Sequence, residues 1–575
     1  MSWKLIGIVL VQIFMFHVSS YSARGPHYSF IREASSGPSM LHFDYIVIGG
    51  GTSGCPLAAT LSRRATVLVL ERGGSPYGNP NITNIDSFVA SLSDASPDSP
   101  SQQFTSEDGV YNTRARVLGG GSALNAGFYS RASATYVNDA GWDERLVNAS
   151  YEWVERRVAF RPPMLEWQSA VRNGLIEAGV LPDNGFTYDH LYGTKVGGTI
   201  FDTKGHRHTA ADLFEYAEPR NIRVYLHATV LRILFTHRGS PWLKPRAYGV
   251  IFEDAVGFRY TAILNRGSRN EIIVSAGAIG SPQILMLSGI GPARHLLSHG
   301  IPVVLDKPMV GEGMADNPMN LLVIPSPLPV EVSLIEVVGI TESGSFIETA
   351  SGLTYTYNWA QRFIGDYEQS LNQTSEPNML SREAMARAVE TMNSLVNATL
   401  RGGVILAKIK GPLSRGNLRL RTTDPDDNPS VRFNYFQDPE DLRLCVEGMR
   451  TIIAVINSQA FSRFRYDYVP VQSLISLMAD LPVNLRPRHA NTAFSLEQFC
   501  IDTVMTIWHY HGGCQVGRVV DQDYKVTGVD ALRVVDGSTF LRSPGTNPQA
   551  TVMMLGRYMG KRILRERFSR RRRRE

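Results

Sequence analysis

The fold of this chain is decided by one stretch near the N-terminus, Phe43-Asp44-Tyr45-Ile46-Val47-Ile48-Gly49-Gly50-Gly51-Thr52-Ser53-Gly54. Its first half, Phe43–Ile48, is short, apolar and β-branched, which predicts a buried strand. A helix is predicted over Cys55–Arg63, and a second strand over Ala65–Leu70 ends at Glu71. Strand, glycine loop, helix, strand and terminal acid in this order are typical of a dinucleotide-binding βαβ unit.

Three glycines and one acid give this unit its predicted chemistry. Gly49 permits the tight turn, Gly51 lets the backbone approach a pyrophosphate, and Gly54 allows close packing of helix on strand. The pyrophosphate is expected at the helix N-terminus, where free N–H groups favour anions. Glu71 lies 20 residues after Gly51 and can accept hydrogen bonds from a ribose diol. The unit by itself does not separate NAD from FAD.

Composition and charge narrow the class of protein. The chain has 575 residues, of which 43% are hydrophobic and 19% charged, as in a globular protein of two or more domains or one elaborated α/β body. The net charge of +5 comes from Arg565–Glu575, which holds seven Arg and two Glu, so the remainder is neutral. No nucleic-acid-binding surface is therefore expected on the body. The Arg570–Arg574 run is predicted to be a solvated tail; binding to an acidic polymer or a membrane surface is the alternative.

The N-terminus is typical of a secreted protein. Residues 1–22 are predicted to be a signal peptide, with Lys4 before the apolar run Leu5–Phe16, and residues 23–41 a polar linker. The apolar run is short for a bilayer, an uncleaved anchor being the alternative, and no integral membrane span is expected elsewhere. Four glycosylation sequons agree with secretion to the apoplast or cell wall: Asn81, Asn148, Asn372 and Asn397.

The four cysteines have no metal-type spacing, and no metal site is expected. Cys55 and Cys514 lie beside glycine-rich segments and are predicted to be buried thiols. Cys445 and Cys500 flank predicted helical stretches, and in an oxidising compartment their pairing is favoured, although spacing does not establish connectivity.

A His/Asn pair near the C-terminus indicates a chemistry. His509, within Trp508-His509-Tyr510-His511-Gly512-Gly513-Cys514, precedes Asn547 by 38 residues. Imidazole can accept an alcohol proton near neutral pH, and a carboxamide can donate a hydrogen bond to the resulting oxyanion. A histidine beside a glycine turn is more often structural, so the pair needs support from the rest of the chain.

Later segments provide that support. A second glycine-rich run covers Val117–Asn125, and residues 306–500 change in character, with helices predicted around Ser381–Leu400 and Pro439–Ile456. Strands are predicted within Asn221–Phe235 and over Glu271–Ser275. This pattern suggests a second domain inserted between parts of the nucleotide-binding domain.

With these segments the chain resembles the glucose–methanol–choline (GMC) family of FAD-dependent oxidoreductases over about residues 42–565. Gly277–Gly291 matches the second signature of the family, and Arg116–Asn125 resembles the first. Within the family the chain is similar to the plant branch of HOTHEAD-type proteins and mandelonitrile lyases. The resemblance implies an α/β fold, with a Rossmann-type FAD-binding domain and an inserted α+β substrate-binding domain of antiparallel sheet plus helices. The FAD-binding parts would cover 42–140, 196–305 and 500–564, a substrate-domain or lid segment 141–195, the substrate-binding domain 306–499, and a basic disordered tail 565–575.

The resemblance also implies which residues hold FAD. They are Gly49, Gly51, Thr52, Ser53, Gly54, Glu71, Gly120, Ser122, Asn125, Val230, Tyr510, Asp536, Gly537, Asn547 and Gln549. An ordinary strand-core role is the alternative for Val230. Some relatives bind FAD covalently through a histidine just before the asparagine of the first signature; Leu124 occupies that position here, which implies non-covalent FAD.

His509 and Asn547 would be the catalytic residues. The family histidine precedes the cysteine by five residues, which selects His509 over His511. For an alcohol substrate, His509 would act as the base while hydride passes to the flavin, and the resemblance points to long-chain ω-hydroxy fatty acids and cuticle formation. The alternatives are a mandelonitrile lyase with non-redox FAD and a catalytically inactive secreted flavoprotein. The related lyases carry a second histidine where this chain has Asn547, which argues against the lyase. The electron acceptor and the oligomeric state stay open.

Overall fold

The structure is a computed structural model that describes residues 28–94, 96–236, 244–352, 402–545 and 547–569. The predictions for the signal peptide, the helix over Ser381–Leu400, the sequons at Asn372 and Asn397 and the Arg570–Arg574 run lie outside the described residues.

A six-stranded parallel sheet contains the predicted dinucleotide-binding unit. Tyr45–Ile48 pairs with Val67–Leu70 so that Ile48 lies opposite Leu70, and the two strands end at the same edge. The helix between them, Gly54–Ser62, is buried along its whole length because it packs between the sheet and the C-terminal helix Gln549–Phe568. Across the sheet the strands are Ile31–Glu33, Ile222–Leu226, Val67–Leu70, Tyr45–Ile48, Glu271–Val274 and Leu532–Val534.

A seven-stranded sheet, antiparallel except at one edge, forms the second large layer. Its strands in order are Met505–Thr506, Pro318–Pro325, Gly402–Ile409, Ser345–Ser351, Val337–Ile340, Gly193–Val196 and Asp183–Phe186. Helices Pro439–Asn457 and Glu166–Glu177 pack on this sheet around a core that includes Trp167. The predicted combination of a Rossmann-type domain and an α+β domain is thus confirmed.

Smaller elements join the two large sheets. A four-stranded sheet contains Thr229–Thr236, Arg246–Glu253, Arg259–Leu264 and Met40–Phe43, and a three-stranded sheet contains Glu312–Met314, Gly416–Arg419 and Ser430–Arg432. Paired strands are Ser101–Thr105 with Tyr111–Ala115, Phe128–Tyr129 with Gly198–Thr199, and Ile290–Gly291 with Leu305–Asp306. The other α-helices in the described part of the chain are Pro80–Thr83, Ala90–Ser93, Ala134–Asp139, Glu144–Val158, Gly277–Leu287, Ala293–Ser298, Val471–Asp480 and Leu496–Asp502.

The linker predicted over residues 23–41 is wrong in its second half. Ile31–Glu33 is the edge strand of the parallel sheet, paired with Ile222–Leu226, and Met40–Phe43 joins the four-stranded sheet. Both strands are short and mostly exposed, so they lack the apolar pattern by which a buried strand is identified in a sequence.

Two predicted domain boundaries are displaced. Helix Glu144–Val158, in the predicted substrate segment 141–195, shares a hydrophobic cluster with helix Gly54–Ser62 of the nucleotide-binding layer. At the predicted boundary between 499 and 500, helix Leu496–Asp502 and strand Met505–Thr506 both belong to the seven-stranded sheet and its core. An amphipathic pattern shows that one face of an element is buried, but not which layer covers it.

The described residues contain no helix that is long and apolar enough to cross a membrane, and no cluster of His, Cys, Asp and Glu arranged to hold a metal ion. They do contain the predicted disulfide between Cys445, on helix Pro439–Asn457, and Cys500, on helix Leu496–Asp502. Cys55 and Cys514 are buried free thiols, as predicted.

Replacing both Cys445 and Cys500 by serine should lower the free energy of unfolding by about 2–4 kcal/mol, because the disulfide closes a loop between residues 55 positions apart. Urea denaturation of the two proteins measures the difference. As a control, alkylation of the denatured wild-type protein should label two thiols before reduction and four after it; labelling of all four without reduction would contradict the pairing.

Candidate active site

One cavity lies between the carboxyl edge of the six-stranded sheet and the seven-stranded sheet. Its wall includes most of the predicted site residues, namely Gly49, Gly51, Thr52, Ser53, Glu71, Gly120, Asn125, Val230, His509, Tyr510, Asp536, Gly537, Asn547 and Gln549. Residues as far apart in sequence as the glycine loop and Asn547 therefore meet at one site.

Two predicted cofactor contacts, Gly54 and Ser122, do not reach this wall. A Cβ on Gly54 would lie 2.0 Å from the carbonyl oxygen of Gly49, so this glycine closes the loop onto its helix. The Ser122 hydroxyl donates to the carbonyl of Gly119 at 2.7 Å and accepts from the N–H of Ala210 at 2.9 Å. Both residues shape the loops rather than face a ligand.

Close backbone packing of two glycine loops leaves room for a ligand. Gly49 has φ +99°, and a Cβ there would lie 2.5 Å from the carbonyl oxygen of Ser275. A Cβ on Gly120 would lie 2.8 Å from the Cα of Gly51, so the two loops meet without side chains between them. The backbone of Gly51 itself is open, with its nearest neighbour 3.7 Å from a notional Cβ. A large cofactor can thus lie directly on the main chain.

Polar groups on this side of the cavity fit a dinucleotide. Ser53 stands at the N-terminus of helix Gly54–Ser62, and its hydroxyl is buried without a hydrogen-bond partner among the described residues. The Glu71 carboxylate accepts N–H groups of Gly50 at 2.9 Å and Gly73 at 2.8 Å. Burial raises the pKa of Glu71 while these bonds oppose the rise. Its oxygens keep lone pairs for a ribose diol, and the Ser53 position suits a pyrophosphate.

The other end of the cavity is organised by amide and carboxylate contacts. Asn125 donates to the side-chain oxygen of Gln549 at 2.9 Å, and Gln549 donates to the carbonyl of Phe128 at 2.7 Å. Gln549 begins a 20-residue helix whose first turn lines the cavity and directs its positive end towards it. Asp536 accepts N–H groups of Gly277 at 2.9 Å and Ser538 at 2.8 Å, which joins two loops of the cavity wall.

His509 is presented to the cavity by a strained turn. Trp508 before it has φ +57°, a region that non-glycine residues seldom adopt. The N–H of His509 donates to the Asp316 carboxylate at 2.9 Å, and the same carboxylate accepts the hydroxyls of Thr506 at 2.6 Å and Tyr435 at 2.5 Å. Burial raises the pKa of Asp316 to about 6. This buried acceptor holds the His509 main chain in place.

The structure separates the two candidate histidines. His509 lies on the cavity wall, and its Nδ1 has no hydrogen-bond partner among the described residues. His511 lies behind it, with Nδ1 at 3.1 Å from the carbonyl of His509, and does not line the cavity. Burial lowers the pKa of His509 well below 6.5, and the Lys408 ammonium and His511 lower it further. Burial lowers the pKa of His511 to about 4.

Two charged residues near Asn547, Lys408 and Glu348, were not predicted from the sequence. Nζ of Lys408 donates to Oδ1 of Asn547 at 2.9 Å and lies 2.7 Å from Oε1 of Glu348. Lys408 interrupts the apolar run Gly402–Ile409, and a charge inside such a strand is rarely buried without a partner. That interruption was the available signal, although the sequence does not show which partner the lysine meets.

Comparison with known proteins agrees with the geometry. Family models described as GMC oxidoreductase match residues 43–319 and 412–556. The chain is 52% identical to Protein HOTHEAD of Arabidopsis thaliana (92% of this chain, 89% of that protein) and 48% identical to an (R)-mandelonitrile lyase-like protein of the same plant (94% and 93%). It is 42% identical to Sinalpyl alcohol oxidase Nec3 of Nesocodon mauritianus (93% and 91%). The crystal structure of formate oxidase has the same fold, with a TM-score of 0.72 at 19% identity over 92% of this chain and 99% of that one.

Four features thus coincide: glycine loops packed main chain against main chain, an unpartnered hydroxyl at a helix N-terminus, a neutral histidine opposite them, and family models that cover both. The chain belongs to the GMC oxidoreductase family and is an FAD-dependent enzyme.

Proposed function

We propose that this protein is a secreted oxidoreductase for primary alcohols on long aliphatic chains, of the ω-hydroxy fatty acid class. The observation that carries the proposal is the placement of an unprotonated imidazole, His509, and an oriented carboxamide, Asn547, on one cavity wall beside the FAD-binding loops.

The two side chains have complementary tasks in this reaction. His509 takes up the hydroxyl proton, for which its imidazole must be neutral. Nδ2 of Asn547 donates a hydrogen bond to the oxygen on which negative charge develops. FAD, when bound beside these residues, would supply the acceptor for the hydride that leaves the carbinol carbon as this carbon becomes an aldehyde carbon. Acid–base help of this kind contributes roughly 10²–10⁴-fold to the rate.

The cavity wall on the side of the seven-stranded sheet indicates the substrate class. That wall is apolar and includes Met319, Leu334, Ile335, Val404, Leu406, Ile507 and Trp508. Phe88 and Leu92, from the segment of short helices around residues 85–93, add to the apolar lining. Such a surface favours an aliphatic or aromatic body over a sugar or a charged group. The similarity to a protein named Sinalpyl alcohol oxidase over 93% of this chain supports alcohol oxidation.

Cyanohydrin cleavage is the competing outcome because relatives named (R)-mandelonitrile lyase are 39–42% identical to this chain. Cleavage needs a group that can exchange a proton with cyanide. The oxygen of Asn547 is occupied by Lys408, and its amide nitrogen does not take up a proton near neutral pH. This contact favours alcohol oxidation.

The first prediction from this mechanism concerns substrate and base. Purified protein should be yellow, should release FAD on acid precipitation, and should lose its flavin colour when mixed anaerobically with ω-hydroxy fatty acids. His509→Ala should retain FAD and slow this reduction by roughly 10²–10⁴-fold, whereas His511→Gln should stay within about tenfold of wild type. Stopped-flow absorbance over a panel of aliphatic and aromatic alcohols measures the rates.

The outcomes separate the candidate functions. Racemic mandelonitrile that yields benzaldehyde while the flavin stays oxidised would establish the lyase. A yellow protein that neither reduces nor cleaves any substrate would be an inactive flavoprotein. Unchanged reduction by His509→Ala would show that another group is the base.

The second prediction concerns pH. Because the folded-state pKa of His509 lies well below 6.5, the base is already unprotonated at neutral pH. The kcat/KM for anaerobic flavin reduction should therefore be level between about pH 6.5 and 8 and should fall only as the pH drops through that lowered pKa. An acidic limb centred at or above 6.5 would contradict a neutral His509.

Secretion is supported by the Cys445–Cys500 disulfide and by the exposure of the described sequons at Asn81 and Asn148. Protein made in plant cells should appear in the apoplastic fluid without residues 1–22 and should lose mass on deglycosylation. Asn81→Gln and Asn148→Gln should each remove one glycan, measured by mass spectrometry. Full-length, unglycosylated protein retained inside the cell would overturn this part of the proposal.

A further inference from the structure

A buried ion pair lies directly behind the carboxamide of Asn547. The side chains of Lys408 and Glu348 are both 0% exposed, and Nζ of Lys408 lies 2.7 Å from Oε1 of Glu348. The same nitrogen donates to Oδ1 of Asn547 at 2.9 Å and lies 5.8 Å from the ring centre of Phe346. Neither oxygen of the Glu348 carboxylate accepts a hydrogen bond of good geometry among the described residues, so the contact with Lys408 is an ion pair.

The register of the seven-stranded sheet produces this arrangement. Lys408, on strand Gly402–Ile409, is directly opposite Phe346 on strand Ser345–Ser351. Glu348 is two residues beyond Phe346, so its side chain is on the same face of the sheet as that of Lys408. Asn547 comes from the distant loop before the C-terminal helix and reaches this face from the cavity.

The contact determines which end of the carboxamide faces the substrate. An ammonium has donors only, so the atom at 2.9 Å must be the amide oxygen, and the NH₂ group must point away from Lys408. The orientation of the carboxamide would be the same if the proton moved from Lys408 to Glu348, which would leave a neutral amine beside a carboxylic acid. A neutral amine would turn its lone pair to the Glu348 acid and would still present an N–H to Asn547.

We propose that Lys408 is a positioning residue, held by Glu348, that fixes the carboxamide of Asn547 with its N–H donor towards the substrate oxygen. The inference rests on the proposed alcohol oxidation. A lysine at this place also prevents the amide from turning its oxygen to the alkoxide, which would repel the developing charge.

Stability does not account for the pair. Removing two charges from water costs several kcal/mol per ion, and replacing a buried ion pair by apolar residues of similar volume is often neutral or stabilising. The pair stands on the cavity side of its sheet, in contact with one of the two proposed catalytic side chains. We therefore assign the ion pair an effect on the orientation of the Asn547 carboxamide.

A double-mutant cycle tests the proposal. The variant Glu348→Gln/Lys408→Met removes both charges while it keeps their shapes, so that no uncompensated charge is buried. It should lower kcat/KM for alcohol-dependent flavin reduction by roughly 10- to 100-fold in the wild-type background. In the Asn547→Ala background the same two substitutions should change kcat/KM by less than about twofold, because their target is gone.

A matched control is available in the same sheet. Lys195, on strand Gly193–Val196, is also fully buried, and it donates to the Ser130 hydroxyl at 3.0 Å without lining the cavity. Lys195→Met should change thermal stability but leave kcat/KM within about twofold of wild type. An equal loss of activity from Glu348→Gln/Lys408→Met in both backgrounds, or no loss in either, would overturn the proposal.

A crystallographic measurement does not depend on turnover. In the wild-type protein the Asn547 oxygen should stay within hydrogen-bond distance of Lys408, and in Glu348→Gln/Lys408→Met the carboxamide should rotate or move by about 1 Å. An unmoved carboxamide refutes the positioning role. If the carboxamide moves but no alcohol reduces the wild-type flavin, the positioning role stands and the proposed substrate reaction fails.

Discussion

The close approach of two main-chain loops at the end of a parallel sheet is the constraint on which this site depends. Ile48 and Leu70 end their strands side by side, so the chain can turn into a helix at Gly49 only where no Cβ blocks Ser275. The second loop comes within contact of Gly51 through Gly120. A side chain at Gly49 or Gly120 would clash with the opposite main chain and force the two loops apart at the carboxyl edge of the six-stranded sheet.

The positions of the two proposed catalytic residues, His509 and Asn547, depend on the junction between the two large sheets. Strand Met505–Thr506 is the edge of the seven-stranded sheet, and His509 follows it after a single turn. The Asp316 carboxylate accepts from Thr506, Tyr435 and the His509 main chain, which ties this turn to the neighbouring strand. Asn547 reaches the same cavity from the loop before the C-terminal helix and is held there by Lys408. The two proposed catalytic side chains thus come from different elements, and the side chains that contact them, Asp316 and Lys408, lie in or beside the seven-stranded sheet.

Burial gives these groups their chemistry. The imidazole of His509 is kept neutral by removal from water, by Lys408 and by His511, all of which lower its pKa. A neutral imidazole can accept a proton at one ring nitrogen, while its other nitrogen carries an N–H. The oriented amide of Asn547 can donate but not accept towards the substrate. In the proposed alcohol oxidation the two residues therefore divide the tasks of base and oxyanion donor, and Asn547 offers no group that could exchange a proton with cyanide.

Some features of this protein are determined by patterns of neighbouring residues, and others depend on contacts between residues that are far apart in the sequence. The βαβ unit and the family signatures follow from the sequence, because strand periodicity, glycine spacing and signature spacing are properties of neighbouring residues. The sequence favoured the pairing of Cys445 with Cys500 without establishing it, and the structure contains that disulfide. The choice of His509 over His511 as the base rests on signature spacing and stays a prediction, with His509 on the cavity wall. The tertiary structure alone decided that Ile31–Glu33 is a strand, that helix Glu144–Val158 packs on the nucleotide-binding layer, and that Lys408 holds Asn547. These features depend on partners hundreds of residues away or on the other sheet, and a one-dimensional pattern shows that a group is buried without showing what it meets.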